Sequence, residues 1–341
     1  MFTVYAEDHN LHGELLDPRG NDWRPSSECP ARANNILQAI RDQGFGELIL
    51  AKHFADEKIT AIHEPHYVEF LKNIWQEWVD AGQTASNARP DTFVGKDMRY
   101  AEPRSVHGRL GRYSFDATSP FVEGSWQAIR TSANIALTAA ELVQGGERNA
   151  FALCRPPGHH ATVDYCGGYC YLNNTAIAVQ SFLDSGARRV VVLDVDYHHG
   201  NGTQSIFYER NDVLTISLHA DPDLEYPYFL GYADEPGEGK GHGFNINYPL
   251  PFGTDWESYK PALDDALQQI QGFAPDVLVV ALGLDTFSGD PTTHFDITTE
   301  DFQRMGETIA ALDVAKLVVL EGGYSVEHIG ENTIRFLTGL E

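Results

Sequence analysis

Cysteines and membrane-directing segments are both scarce in this sequence. Four cysteines occur in 341 residues, Cys29, Cys154, Cys166 and Cys170, and their irregular spacing argues against a disulfide framework, so we expect reduced thiols. There is no run of about 18 apolar residues, no basic, apolar leader at Met1 and no lipidation signal. These absences predict a soluble, cytoplasmic protein without a membrane partner.

Basic residues are also few. The chain has 24 lysines and arginines against 49 aspartates and glutamates, which gives a formal net charge of -25. This balance argues against a nucleic-acid backbone as partner and favours the attraction of a small cation. Acidity that serves solubility alone is the alternative.

No internal repeat and no low-complexity linker divides the chain, so we expect one domain over residues 1–341. Beyond residue 124, strand and helix patterns alternate, and the strands are apolar on both faces. This predicts an α/β domain with a mostly parallel sheet covered by helices. The predicted strands are 2–5, 150–154, 189–193, 213–218, 277–282 and 317–320, and the predicted helices are 32–43, one from Pro65, 124–142, 172–183, 255–273, 299–312 and one from about 325.

Two segments of the first half follow neither pattern. Residues 8–28 are predicted to form a polar loop, and residues 83–121 a long insertion rich in Gly, Pro and Ser. Loops of that length are usually functional or mobile. Because the second segment is the most basic part of an acidic chain, we expect it to form the rim of an active site or to contact a second copy of the chain. A solvated surface loop is the alternative.

The chain is organised around residues 190–201, where an apolar, β-branched run gives way to acids and imidazoles. In an open parallel sheet, chemistry collects at the carboxyl ends of the strands. On an extended backbone Asp194, Asp196 and His198 point to the same side. Three other strands end in unusual residues, and together these ends predict one shared crevice. The three segments are 155–160 (Arg-Pro-Pro-Gly-His-His), 283–285 (Gly-Leu-Asp) and 321–324 (Glu-Gly-Gly-Tyr).

Asp196, His198 and Asp285 would supply two carboxylates and one imidazole. Three ligands with room for water are typical of a catalytic metal site rather than a closed structural one. The metal in such a site polarises a carbonyl or acidifies water. Zn²⁺ is favoured, and Fe²⁺, Co²⁺ or Mn²⁺ would accept the same ligands. The alternative is that Asp196 and His198 only cap the following helix.

The remaining strand-end residues suggest roles in acid–base chemistry. One imidazole of the pair His159–His160 would act as general base and then general acid, and the other would remain cationic. The phenol of Tyr324, after two glycines, would donate to an oxyanion. Asp194 and Asn201 would accept from the second ring nitrogens of the two histidines and fix their tautomers.

Taken together, these motifs resemble the histone deacetylase superfamily, in particular its bacterial acetylpolyamine amidohydrolase branch. The resemblance covers most of the second half of the chain and is looser in the first half. The matching segments are 155–160, 167–174, 194–202, 217–219, 282–285 and 321–324.

This resemblance implies an arginase/deacetylase α/β fold with an eight-stranded parallel sheet, and zinc-dependent hydrolysis of an acetamide. It implies that the Asp-His-Asp group binds the metal, that His160 is the general base and acid, that His159 assists electrostatically, and that Tyr324 steadies the tetrahedral intermediate. Structural K⁺ is also implied. The positions matching the first K⁺ site are Asp194, Asp196, His198, Ser217 and Leu218, and those for a second are Phe207, Arg210, Val213 and Phe244.

The same resemblance suggests the substrate. Tyr169, with Gly168 before it, and Tyr226 match the aromatic walls of a narrow tunnel for an alkyl chain. The long loop at 83–121 resembles the one that helps form a homodimer and narrows the entrance in the polyamine branch. A slim acetylated diamine or polyamine would enter such a mouth.

The free ammonium of that substrate would meet one of three acids, Asp17, Asp116 or Glu123. Hydrolysis of acetylated polyamines is therefore the leading prediction for function. Protein acetyl-lysine deacetylation is the alternative from the same family. A non-catalytic ligand sensor with the same fold is a third hypothesis, although such a protein is expected to have lost a ligand or Tyr324.

Overall fold

A parallel sheet dominates the computed structural model, which describes residues 1–13, 15–19, 22–84 and 87–341. In chain order the strands are β1 (Phe2–Tyr5), β2 (Leu16–Arg19), β3 (Asp22–Pro25), β4 (Glu47–Leu50), β5 (Asn149–Ala152), β6 (Val190–Asp194), β7 (Val213–Ala220), β8 (Asn245–Leu250), β9 (Val277–Leu282) and β10 (Ala315–Leu320). Eight of them form one sheet in the order β4-β1-β5-β10-β9-β6-β7-β8. Every neighbouring pair in it is parallel, whereas β2 and β3 form a separate antiparallel hairpin.

Helices flank this sheet on both faces. They are α1 (Pro30–Gln43), α2 (Glu57–Thr60), α3 (Pro65–Asp80), α4 (Val106–Arg112), α5 (Ser125–Gln144), α6 (Asn174–Asp184), α7 (Asn201–Phe207), α8 (Trp256–Phe273), α9 (Thr299–Ala310) and α10 (Ile329–Leu340), with short 3₁₀ turns at Glu7–Leu11 and Gly239–Gly241. The predicted α/β class with a parallel sheet is confirmed. None of the helices in the described ranges is both long enough and apolar enough to cross a bilayer.

The central strands are apolar on both faces because each face packs against a layer of helices. In β6 all five residues are buried. Val190 and Val192 point into one hydrophobic cluster, and Val191 and Leu193 point into the other. The period-two alternation of a strand therefore divides one apolar run between two cores.

The strand order explains why the chemistry converges. The four strands whose ends carry unusual residues, β5, β10, β9 and β6, are consecutive neighbours at the centre of the sheet. Because they are all parallel, their carboxyl ends lie side by side at one edge. The sequence predicts each strand end separately, and the strand order brings them together.

Several element boundaries differ from prediction. The first long helix begins at Pro30 rather than at residue 32, because proline suits the first helical position, and it ends at Gln43 as predicted. The last helix begins at Ile329 rather than near residue 325. Strands β4 and β8 were not predicted: both lie at sheet edges, where exposed and polar residues obscure the strand pattern.

The two predicted loops contain more structure than expected. Within 8–28 lie part of the first 3₁₀ turn and the β2–β3 hairpin, and residues 14, 20 and 21 are outside the described ranges. Within 83–121 lies α4, and residues 85 and 86 are likewise outside them.

Arginines of the 83–121 segment bind within their own chain. Arg109 pairs with Glu77 and Glu102, and Arg112 pairs with Asp164 at 3.0 Å. These contacts anchor the segment to α3 and to the loop after β5. They also satisfy part of the basic charge that was expected to face a second copy.

Candidate active site

A buried group of three ligand-type side chains lies where β6 and β9 end. Nδ1 of His198 is 3.1 Å from Oδ2 of Asp285 and 3.4 Å from Oδ1 of Asp196. Their ligand atoms all lie within 4.8 Å of one another. Both carboxylates are fully buried, and His198 is 11% exposed. The three side chains could therefore hold one ion that remains open to a cavity on the imidazole side.

The backbone around this group leaves room only for glycine. A Cβ at Gly283 would lie 2.2 Å from Oδ2 of Asp196, and one at Gly322 would lie 2.2 Å from Oδ2 of Asp285. The amide of Gly322 donates to Asp196 at 2.7 Å. The glycines that precede Asp285 and Tyr324 in the sequence thus make space for the two carboxylates.

Electrostatics indicate that this group needs a positive charge. Burial and the neighbouring Asp196 raise the pKa of Asp285 to about 7. Burial would also raise the pKa of Asp196, but His159 and His198 lower it below its usual range. Burial would lower the pKa of His198, yet hydrogen bonds to the two aspartates raise it to about 10. Two buried anions this close are stable only beside a cation, so the donor set fits a divalent metal.

The histidine pair lies beside this group, with ring centroids 4.0 Å apart. Nδ1 of His159 lies 3.0 Å from Oδ2 of Asp194, and Nδ1 of His160 lies 2.7 Å from Oδ1 of Asn201. Because carboxylate and amide oxygens only accept, both Nδ1 atoms carry the proton in these contacts. His160, which lines the cavity, therefore keeps the lone pair of Nε2 available.

These two histidines have opposite electrostatic environments. Burial would lower the pKa of His159, but the carboxylates of Asp196 and Asp194 raise it to about 10. Burial and the adjacent His159 lower the pKa of His160 well below its usual value. At neutral pH one imidazole is therefore cationic and the other is a neutral base.

The turn that carries Tyr324 is held by the side chains of Arg32 and Asp290. The buried guanidinium of Arg32 donates to the carbonyls of Glu321, at 2.6 Å, and of Gly323, and it lies 4.8 Å from the centre of the Tyr324 ring. Asp290 accepts from the amides of Tyr324 and of Ser325, the latter at 2.9 Å. The phenol is thereby fixed at the cavity wall.

Arg32, Asp290 and the acid Glu28 were not recognised from the sequence. Glu28 is a fully buried carboxylate between Arg32 and Arg155. Arg32 contacts Glu321 and Gly323, which lie 289 and 291 positions further along the chain. No local pattern could have indicated such distant partners.

Glu321 belongs to a recognised motif but had no predicted role. Its buried carboxylate accepts from the amides of Gly158, at 2.6 Å, and His159, at 3.0 Å, and from the hydroxyl of Thr175 at 2.7 Å. Burial raises its pKa to about 7. It therefore fixes the turn that places the two histidines.

Replacing Glu321 with leucine should lower the free energy of unfolding by about 2–4 kcal/mol, since three buried donors lose their acceptor. Urea denaturation measures this loss. Glu321→Gln is the matched control, because its amide oxygen can still accept from the turn, and it should cost about half as much. Equal losses for the two variants would contradict the hydrogen-bonding role.

Tyr169 and Tyr226 face a cavity of about 350 Å³. The Tyr169 hydroxyl donates to Asp17 at 2.8 Å, and the Tyr226 hydroxyl donates to Asp116 at 2.7 Å. Gly168 has a φ of +56°, and a Cβ there would lie 2.3 Å from the His160 ring. The cavity is lined by Asp17, Thr118, His160, Gly168, Tyr169, His198, Glu225, Tyr226, Pro291, Thr292, His294 and Tyr324.

The acids predicted to meet an ammonium group occupy different positions. Asp17 lines the cavity and is 4% exposed. Asp116 accepts from Tyr226, from the Gly168 amide and from the amide and hydroxyl of Thr118. Glu123 is exposed and is not among the described residues that line the cavity.

The residues predicted to bind the first K⁺ lie at the end of β6 and in β7. Asp194 and Ser217 are partners in the β6–β7 register. The Ser217 hydroxyl lies 2.8 Å from Nδ1 of His219. At the second predicted position, the carbonyls of Phe207 and Phe244 already accept backbone amides, at 2.9 and 3.0 Å.

Comparison with known proteins agrees with this arrangement. Residues 26–340 match the histone deacetylase domain family. The chain is 50% identical to acetylpolyamine amidohydrolase 2 of Pseudomonas aeruginosa over all of this chain and 99% of that protein, and 51% identical to acetylpolyamine amidohydrolase 1 of the same organism at the same coverage. The crystal structure of acetylpolyamine aminohydrolase from Burkholderia pseudomallei superposes with a TM-score of 0.93, at 40% identity and over 99% of this chain and 98% of that one.

The central strands of the parallel sheet end in these side chains, and the relatives of the chain are named as amidohydrolases. Together these findings define the protein as a hydrolase that acts on amides. The chain belongs to the histone deacetylase family, and the resemblance drawn from its motifs, including that to the bacterial acetylpolyamine amidohydrolases, is confirmed. Metal dependence is typical of this family, and the chain has a group of residues able to hold a metal.

Proposed function

We propose that this protein hydrolyses the acetamide of acetylated polyamines or diamines, giving the free amine and acetate, with Zn²⁺ as its metal. The observation that carries the proposal is a cavity of about 350 Å³ that is lined both by Tyr169 and Tyr226 and by His160, His198 and Tyr324. Relatives named acetylpolyamine amidohydrolase, at 50% and 51% identity, support the substrate class.

Asp196, His198 and Asp285 would hold the metal. When bound there, a divalent ion polarises the acetamide carbonyl and makes a neighbouring water more acidic. Fe²⁺, Co²⁺ or Mn²⁺ would suit the same ligands. We also propose that Asp194 and Ser217 help to bind a structural K⁺ ion.

The side chains of the chain itself would move the protons. Neutral His160 takes a proton from the attacking water through Nε2 as the new C–O bond forms. The Tyr324 hydroxyl donates to the oxygen that becomes negative in the tetrahedral intermediate. His160 then returns the proton to the amine nitrogen as the C–N bond breaks. Cationic His159, held by Asp194, favours the buildup of negative charge nearby.

Cavity shape favours a slim substrate over a protein chain. The two phenols that form its walls are each fixed by a carboxylate, Asp17 or Asp116, so the walls cannot easily move apart. We expect a linear acyl-amine chain to enter past these two side chains and a bulky folded partner to be excluded. We further propose that the protein is cytoplasmic and acts as a homodimer whose 83–121 segment lies at the mouth; light scattering measures the assembly.

A substrate panel tests the proposed function. We expect kcat/KM for acetylputrescine, acetylcadaverine or an acetylated polyamine to exceed that for an acetyl-lysine peptide by at least about tenfold, a difference of about 1.4 kcal/mol in transition-state binding. Acetate release measures all of these substrates in the same way. Comparable rates would favour protein deacetylation, and no release from any of them would favour a ligand sensor.

A further inference from the structure

One acidic side chain at the cavity has no role in the chemistry described above. Glu225 follows β7 and lines the cavity together with His160, His198 and Tyr324. Its side chain is 14% exposed, so the carboxylate is largely enclosed yet reachable from the cavity.

Hydrogen bonds hold this carboxylate in a defined position. Oε2 accepts from the Tyr197 hydroxyl at 2.9 Å, and Oε1 accepts from the Tyr226 amide at 2.9 Å. Tyr197 immediately precedes His198, and Tyr226 forms a cavity wall. The acid is therefore fixed relative to both the metal ligands and the tunnel, as a group that selects substrates must be.

Glu225 lacks a strong cationic partner within the described part of the chain. Its ion-pair partner is His294, whose Nδ1 lies 3.4 Å from Oε2 and whose side chain is 58% exposed. The His294 ring stacks on Phe252 with centroids 4.2 Å apart. A primary ammonium in the cavity would offer Glu225 a stronger charge-assisted hydrogen bond than this imidazole.

The other acids of the cavity are less suited to bind a cation. Asp116 already accepts from four donor groups, two of them on Thr118. Asp17 is 4% exposed and accepts from Tyr169. The partly buried guanidinium of Arg89 donates to the carbonyls of Leu16 and Ala117, and it lies near these two acids. Glu225 is thus the better placed acid.

We propose that Glu225 binds the free ammonium of a linear acetylated amine and so determines the preference for cationic substrates. This assignment rests on the proposed deacetylase function. The ligand it selects is a primary ammonium at the end of a short alkyl chain, whose methylene groups lie between Tyr169 and Tyr226. Glu225 would act on specificity and take no part in bond breaking.

The test compares two acetamides of similar shape, N-acetylcadaverine and the neutral N-hexylacetamide. In the parent protein the ratio of their kcat/KM values should favour the cation. Glu225→Gln should lower this ratio by about tenfold to a hundredfold, mainly through the KM of the cationic substrate. Asp223→Asn is the matched control, because it removes one charge from an exposed position in the same loop, and it should keep the ratio of the parent.

Two more variants keep the proposal testable if Glu225→Gln does not fold. His294→Lys, at an exposed site, places an ammonium beside the unchanged Glu225 and should also lower the ratio. Asp17→Asn should leave it within about threefold, a change of less than 1 kcal/mol. The assignment would be overturned if Asp17→Asn abolished the preference for the cationic substrate while His294→Lys kept it. If the parent protein hydrolyses neither acetamide, both the proposed function and the assignment of Glu225 fail. If it hydrolyses both equally well, only the assignment of Glu225 fails.

Discussion

Replacing Tyr324 with phenylalanine is expected to lower kcat by about 100- to 1,000-fold, while KM changes little. The phenol is fixed by Arg32 and Asp290, lies at the cavity wall and can donate to the oxygen that becomes negative. A donor used only in the transition state affects kcat rather than substrate binding. Steady-state kinetics with the best substrate of the panel measures both constants.

Tyr226→Phe is the matched control for that variant. It also removes one phenolic hydroxyl from the cavity, but this hydroxyl donates to Asp116 and not to a reacting atom. We expect it to lower kcat by less than about tenfold, because a positioning contact costs roughly one hydrogen bond. If both variants lose activity equally, the hydroxyl of Tyr324 has no special role in the transition state.

Removing the metal should abolish activity and also lower Tm by several degrees. Asp196 and Asp285 are buried carboxylates in one small group, so a bound cation relieves their repulsion in the folded state. A ligand that binds only the folded state stabilises it by mass action, and at 100 times its Kd it contributes about 2.7 kcal/mol. The protein is treated with a chelator and then supplied with Zn²⁺ or Fe²⁺. Thermal unfolding before and after the addition measures the stabilisation by the metal independently of turnover.

Asp285→Asn tests whether the stabilising metal binds at Asp196, His198 and Asp285. We expect this variant to lose most of the metal-dependent increase in Tm, because one anionic ligand becomes neutral. Asp313→Asn, at an exposed aspartate that pairs with Arg148 on the surface, should keep all of it. An increase in Tm that survives Asp285→Asn would place the stabilising metal elsewhere, and an unchanged Tm in the parent would argue against a metal in this group.

Much of the candidate site could be read from the sequence because each part is local. The apolar run at 190–193 requires a buried strand, and the acids that follow it must then lie at the end of that strand. The same reasoning applies to Asp285 after β9 and to Tyr324 after β10. Period-two patterning and the position of polar residues after apolar runs are properties of consecutive residues, so the linear sequence contains them.

The residue pattern alone could not show which of His159 and His160 would be cationic. The two residues are adjacent and chemically identical, and only the resemblance to the family assigned the electrostatic role to His159. Asp194, Asp196 and Asn201 come from another strand end, and they decide which imidazole is protonated. A pKa depends on the charges that folding brings near a group, and that arrangement is a tertiary property.

The sequence by itself therefore determined the α/β class, the four strand ends that carry the candidate site residues, and the family. Only the tertiary structure decided which side chains hold them in place: Glu321 beneath the histidine turn, Arg32 and Asp290 around Tyr324, and Glu225 at the cavity wall. The physical reason is that a strand end is specified by neighbours along the chain, whereas a buried acid or guanidinium is satisfied by partners that folding brings to it from other elements.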